Sequence, residues 1–97
     1  MFKQDEFSLV TGRFNVCGEV IEFTRQEAII FFMLNNYGAE GVTMDAMVTG
    51  VYMDLAMKNY KTVGVHLFNI RKKMAHTACD IVYDKRALKY RMVKKNG

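Results

Sequence analysis

The chain predicts a single α+β domain: a small N-terminal antiparallel sheet, three helices and a C-terminal β-hairpin. Three observations lead there. Apolar residues alternate near both ends of the chain, the period of half-buried strands. Between those ends they recur at helical spacing, behind residues that cap helix starts. The 97 residues are 51% apolar and include no proline, enough for one modest core with no rigid linker.

Phe7 to Val10 is the first expected strand, and Thr11-Gly12 the turn after it. Arg13 to Cys17 is a second extended run, with Phe14 and Val16 on one face. Gly18 tolerates positive φ, so Cys17-Gly18 is expected to turn tightly into a third strand, Glu19 to Phe23. Ile21 and Phe23 share its apolar face, and Glu22 lies opposite. Residues 7–23 thus make the N-terminal sheet.

Residues 24–76 are expected to hold the three helices. Thr24-Arg25-Gln26-Glu27 is a capping box, in which hydroxyl and carboxylate satisfy free amides at a helix start. That helix runs to about Asn36 and stops near Gly38. Its interior, Ala28 to Leu34, is apolar nearly all round, so it needs cover on more than one side. Ala28, Ile30, Phe31 and Leu34 are assigned to the core. Ile29 and Phe32 fall on another face, which either lies under the N-terminal sheet or binds a partner or a second copy. Thr43 caps a second helix, about Met44 to Tyr52, with Asp45 suited to its positive end. Met47, Val48, Val51 and Tyr52 form its apolar face, and Gly50 is expected to interrupt it. A connector covers Met53 to Asn59. The third helix runs from about Tyr60 to His76, with Val63, Leu67, Ile70 and Met74 as its core stripe. Strands Asp80–Tyr83 and Lys89–Val93 close the chain as a hairpin over 80–93, joined by a basic loop, Asp84 to Leu88.

Charge is divided unevenly. Residues 1–60 carry four Lys/Arg against eight Asp/Glu, whereas residues 61–97 carry ten against two. The net +4 of the chain therefore conceals a C-terminal third at +8, which attracts polyanions. No charged-then-apolar leader opens the chain and no apolar run approaches about 18 residues, so a soluble cytoplasmic protein without membrane association is expected. Two cysteines, Cys17 and Cys79, make no disulfide framework; reduced thiols are expected. His76 and Cys79 lack a second pair to complete a metal site. There is no Gly-rich phosphate loop, Ser/His/Asp set or carboxylate pair, so neither a metal, a cofactor nor an enzymatic activity is expected.

Sheet, helix, helix, basic helix and basic-tipped hairpin is the layout of a winged helix-turn-helix. More narrowly, about residues 7–93 resemble the DNA-binding effector domain of OmpR/PhoB-type response regulators. Ile21-Glu22-Phe23-Thr24-Arg25-Gln26-Glu27 looks like the apolar-Thr-x-x-Glu start of that family's first helix. Val42-Thr43-Met44-Asp45-Ala46-Met47, followed by Val51-Tyr52, looks like its second. Val63-Gly64-Val65-His66-Leu67-Phe68-Asn69-Ile70-Arg71-Lys72-Lys73-Met74 is similar to the family's Val-Asp-Val-His-Ile-x-x-Leu-Arg-Lys-Lys-Leu. Ile81-Val82-Tyr83 and Tyr90-Arg91-Met92 resemble the wing strands. The sequence departs from the pattern at Gly64, Phe68 and Asn69, and its wing lacks the usual glycines. No receiver domain accompanies it in this chain.

The resemblance implies a bacterial or phage-like transcription regulator that reads double-stranded DNA with the third helix in the major groove. Opposite the core stripe, Thr62, Val65, Asn69 and Lys72 are expected to face base edges, with Asn69 on adenine and Val65 on a thymine methyl. Lys61, His66, Arg71 and Lys73 flank that face, toward phosphates. Lys85, Arg86 and Lys89 of the wing are directed to the backbone or minor groove, and Thr43 with the amides of the second helix to another phosphate. Two copies on repeated half-sites, and RNA polymerase at Met53–Lys58, are the implied partners. The alternatives are a winged helix that binds polymerase or a host factor, and a nonspecific architectural DNA binder.

Overall fold

A computed structural model describes residues 10–37, 40–52 and 60–95 of the chain. Among these the order is β1 (Arg13–Val16), β2 (Glu19–Glu22), α1 (Arg25–Asn36), α2 (Met44–Tyr52), α3 (Tyr60–Lys73), β3 (Cys79–Asp84) and β4 (Lys89–Lys94). The fold is α+β, with two separate two-stranded antiparallel sheets, β1–β2 and β3–β4, and is compatible with a small winged-helix-like fold.

The β1–β2 hairpin forms where alternation predicts it. Phe14, Val16, Ile21 and Phe23 are buried, and Phe14 pairs with Ile21 across the strands. Cys17 and Gly18 take φ of 51° and 91°, the positive values that a tight primed hairpin turn needs. Gly12 holds the hairpin's open end. Its φ is 78°, its carbonyl accepts from the Phe23 amide at 2.7 Å, and a Cβ there would meet the Phe23 carbonyl oxygen at 2.6 Å.

The helices build the core from the residues that their periodicity selects. Ala28, Ile30, Phe31 and Leu34 of α1 are buried, as are Met47 and Val48 of α2 and Val63, Leu67 and Ile70 of α3, with Met74 just beyond it. Phe31 joins the sheet to the helices: its ring lies 4.9 Å from both Phe14 and Phe23, centroid to centroid. Such contacts contribute beyond simple area burial. The capping box at Thr24 forms in both directions, Glu27 amide to Thr24 Oγ1 and Thr24 amide to Glu27 Oε1.

Several expectations change. Val10 and Thr11 are helical, not the end of a strand, and residues 7–9 lie outside the described residues. So do Gly38, the Met53–Asn59 connector and the side chain of Tyr52. The second and third expected strands end one residue early, at Val16 and Glu22, because Cys17 is taken up by the turn and Phe23 leads into the cap. The last helix ends at Lys73, not His76. The Ala75 and Thr77 amides bond the Lys72 and Met74 carbonyls, three residues back, which tightens residues 74–76 into a turn. The wing strands run slightly longer than expected, to Cys79–Asp84 and Lys89–Lys94. Gly50 does not interrupt α2. It lets α2 approach α1, since a Cβ there would lie 2.7 Å from Met33 Sδ.

The largest correction concerns the cysteines, which are not free thiols. Cys17 at the β1–β2 tip and Cys79 at the start of β3 form a disulfide across 62 residues, with Cα atoms 6.6 Å apart. His76 and Glu19 pair beside it at 2.9 Å. The hairpin turn and the ending of α3 bring the two segments together, and neither leaves a local trace in cysteine spacing.

Gly64 is the one weak point inside α3. A Cβ there would meet nothing within 4 Å. Gly64→Ala is therefore expected to stabilise the fold by about 1 kcal/mol, by removing the helical cost of glycine. Thermal unfolding checks it: the midpoint should rise by about 4–8 °C.

Candidate nucleic-acid interface

α3 turns about 100° per residue, so Lys61, Val65, Phe68 and Lys72 fall within about 60° of arc, opposite the buried stripe. All four are exposed. Phe68 is the most prominent, at 61% exposure, and Val65 follows at 52%. Thr62 and Asn69, expected on the outward face, are half-buried on its flank. The outward ridge is thus an apolar pair between two lysines, with Phe68 in the central position assigned to Asn69. Lys72 Nζ lies 5.6 Å from the Phe68 ring centroid, a cation–π contact one helical turn apart.

The remaining charges of α3 divide into two groups. Lys73 Nζ is bound to Glu27 Oε1 at 2.6 Å, and Arg71 Nε to Asp80 Oδ1 at 3.3 Å. Lys73 thus meets a buried carboxylate, whereas the Arg71–Asp80 pair lies at the surface, with Arg71 55% exposed. His66 is half-buried, with Nε2 shielded from solvent and unpaired among the described residues. Lys61 and Lys72 have no acidic partner among the described residues.

The wing tip is organised by Asp84, a residue that charge counting passes over. Asp84 Oδ1 accepts from the Arg86 and Ala87 amides at 3.0 and 3.2 Å, its carbonyl accepts from the Leu88 amide, and Oδ2 accepts from Arg91 Nε at 3.1 Å. Those backbone bonds, Ala87 first, with the Arg91 guanidinium, hold its carboxyl below the usual aspartate range. An Asp at the head of a turn, whose side chain can bond the amides that follow it, is the sequence signal for such a loop. Lys85 and Arg86 project from it exposed, and Lys89 is half-buried at the start of β4. None of the three has an acidic partner among the described residues.

The wing is anchored to the start of α2. Val42 and Tyr90 exchange both backbone hydrogen bonds at 2.8 Å, which sets Thr43 one residue from the wing strand. Thr43 Oγ1 accepts from the Ala46 amide at 3.1 Å, as a cap. Tyr60 donates to Asp45 Oδ1, so α2 and α3 are tied at their starts; that hydrogen bond raises the phenol above its ordinary range. Ile29 and Phe32 are each half-buried, with Phe32 packed against the core and Ile29 near Gly50. That face is thus covered only in part, by α2 at Gly50 among others.

Chemically, the arrangement offers a convex helix ridge, cationic at its ends and apolar at its middle, and a separate cationic turn. No helix among the described residues is long and apolar enough to cross a membrane. No protein-family model matches the chain, and no curated protein matches it.

Proposed function

We propose that the protein is a DNA-binding transcription regulator of the winged helix-turn-helix, OmpR/PhoB-like kind. In this reading it binds double-stranded DNA with α3 in the major groove and the β3–β4 turn against the backbone or minor groove. One observation carries the reading. On α3 and the wing, Arg71, Lys73 and Arg91 are held by carboxylates, whereas Lys61, Lys72, Lys85, Arg86 and Lys89, with Lys94 at the wing's root, have no acidic partner among the described residues. Elsewhere among them only Arg13, Arg25 and Lys95 also lack one, so most such cations fall on these two elements. The protein acts without catalysis or cofactor, in the cytoplasm. RNA polymerase, and a second copy on repeated half-sites, are its further proposed partners.

Salt titration tests this. Binding of mixed genomic duplex, followed by anisotropy, should weaken as a power of salt concentration, with a slope of roughly −4 to −5 for five phosphate contacts. Lys72→Ala and Arg86→Ala should each reduce the slope by about 1, and Lys73→Ala by less. Sequencing the retained fragments should give an enriched motif; a slope without a motif points to an architectural binder. Phe68 and Val65, exposed together on α3, favour a protein-binding winged helix as second reading. Absence of duplex binding at low salt would decide for it.

A further inference from the structure

We infer that the outward ridge of α3 reads the 5-methyl groups of thymine, with Val65 and Phe68 as the specificity-determining side chains; the inference rests on the DNA-binding reading above. The geometry points to it in three steps. The two side chains sit at the middle of the ridge, 52% and 61% exposed, where a groove-bound helix meets base edges. They have no hydrogen-bonding atoms, so donors and acceptors of guanine, cytosine or adenine are lost on them. In the major groove the thymine methyl is the apolar feature that the natural bases present.

Spacing and charge agree with one occupant. Val65 and Phe68 are three residues apart, roughly 4.5 Å along the helix axis, close to the roughly 3.4 Å between neighbouring bases on a strand. Two thymines in succession therefore fit the pair. Lys61 and Lys72 stand on the same ridge beyond the pair at either end, and α3 contains no acidic residue. An apolar protein surface would leave those lysines desolvated and unpaired, whereas flanking phosphates would match them. Lys72 lies against the Phe68 ring and limits its freedom before any DNA arrives.

The test removes the methyl and nothing else. Duplexes retained by the full-length chain from a random pool are identified by sequencing, and thymines of the enriched site are replaced one at a time by deoxyuridine. The expected motif contains adjacent thymines. Each methyl lost from the pair should weaken binding about fourfold, the effect of exposing one buried carbon. Phe68→Ala, at an exposed site that leaves the core intact, should lose the deoxyuridine effect at one thymine of the pair and keep it at the other. Lys61→Ala should weaken thymine and deoxyuridine duplexes equally and keep the ratio. Motif-selective, salt-dependent binding that ignores every deoxyuridine replacement overturns the methyl readout and leaves DNA binding standing. No retention of any duplex at low salt overturns both.

Discussion

Reducing the Cys17–Cys79 bridge is expected to lower folding stability by about 4 kcal/mol. The bond closes a loop of 62 residues, and the chain-entropy penalty that it removes from the unfolded state grows with the logarithm of loop length. It also ties the β1–β2 tip to the root of the wing, a junction otherwise served by the exposed His76–Glu19 pair. An exposed pair of that kind contributes little. Cys17 is exposed, and both cysteines border an open groove with Asn15, Asn35 and Lys94, so a small thiol can reach the bond. Urea unfolding with and without dithiothreitol measures the loss directly. The double variant Cys17→Ser/Cys79→Ser should start at the reduced protein's midpoint and ignore the reductant. An unchanged midpoint on reduction of the natural chain, with free thiols verified by alkylation, would remove the bridge from the stability of the fold. A reducing cytoplasm would keep the protein near the lower of its two stabilities.

That bridge is the part of the fold least legible in the sequence. Core residues are legible because burial imposes a period: Phe14 and Val16 alternate, and Val63, Leu67, Ile70 and Met74 follow a helical stripe. Caps are legible because Thr24 and Glu27 must stand three apart to serve each other's amides. Cys17 and Cys79 obey no such local rule. Their approach depends on how a turn at one end meets a strand start 62 residues later. The same distinction runs through the candidate interface. That α3 and the wing are cationic is plain from composition, but which cations stay free is a tertiary property. Lys72 and Lys73 are equivalent in sequence, yet Lys73 is captured by Glu27 from 46 residues away. Phe68 lies between these cases. The core stripe fixes its outward direction, but the neighbouring Asn69, with an amide that can pair with a base, is the more obvious reader. Gly50 shows the converse, because a residue that reads as a helix breaker lies within α2 where Met33 and Ile29 of α1 pack close to its backbone.

Glu27 carries the second large effect, because one buried carboxylate serves two partners. It is 3% exposed, closes the capping box at the Thr24 amide and binds Lys73 Nζ. Glu27→Ala orphans the amide, leaves a small cavity and releases Lys73. The lysine is more than a third exposed and recovers most of its hydration, so its share of the loss is small. Cap and cavity together put the cost at about 2 kcal/mol. Glu27→Gln keeps an acceptor for the amide and should cost about half as much. Acid titration separates charge from shape. Burial pushes the Glu27 carboxyl up, but the Lys73 hydrogen bond, the Thr24 amide and the lysine's charge outweigh it, and the group sits below its ordinary 4.5. Between that folded value and 4.5 the unfolded chain holds more protons, so stability rises with pH across the window. The contribution is complete above the ordinary value and is lost as pH falls through the folded one. Unfolding midpoints measured from pH 6 down to 3 should therefore fall less steeply for Glu27→Gln, with the residual slope arising in part from Asp84, whose carboxyl is lowered as well. The same variant frees a cation beside the ridge of α3. If the ridge meets duplex DNA, Glu27→Gln should bind mixed duplex more tightly and with a steeper salt dependence, by up to about one ion, while being less stable. Opposite signs for stability and binding would identify Lys73 as a cation that the fold withholds from the interface. A parallel loss of both would make Glu27 purely structural.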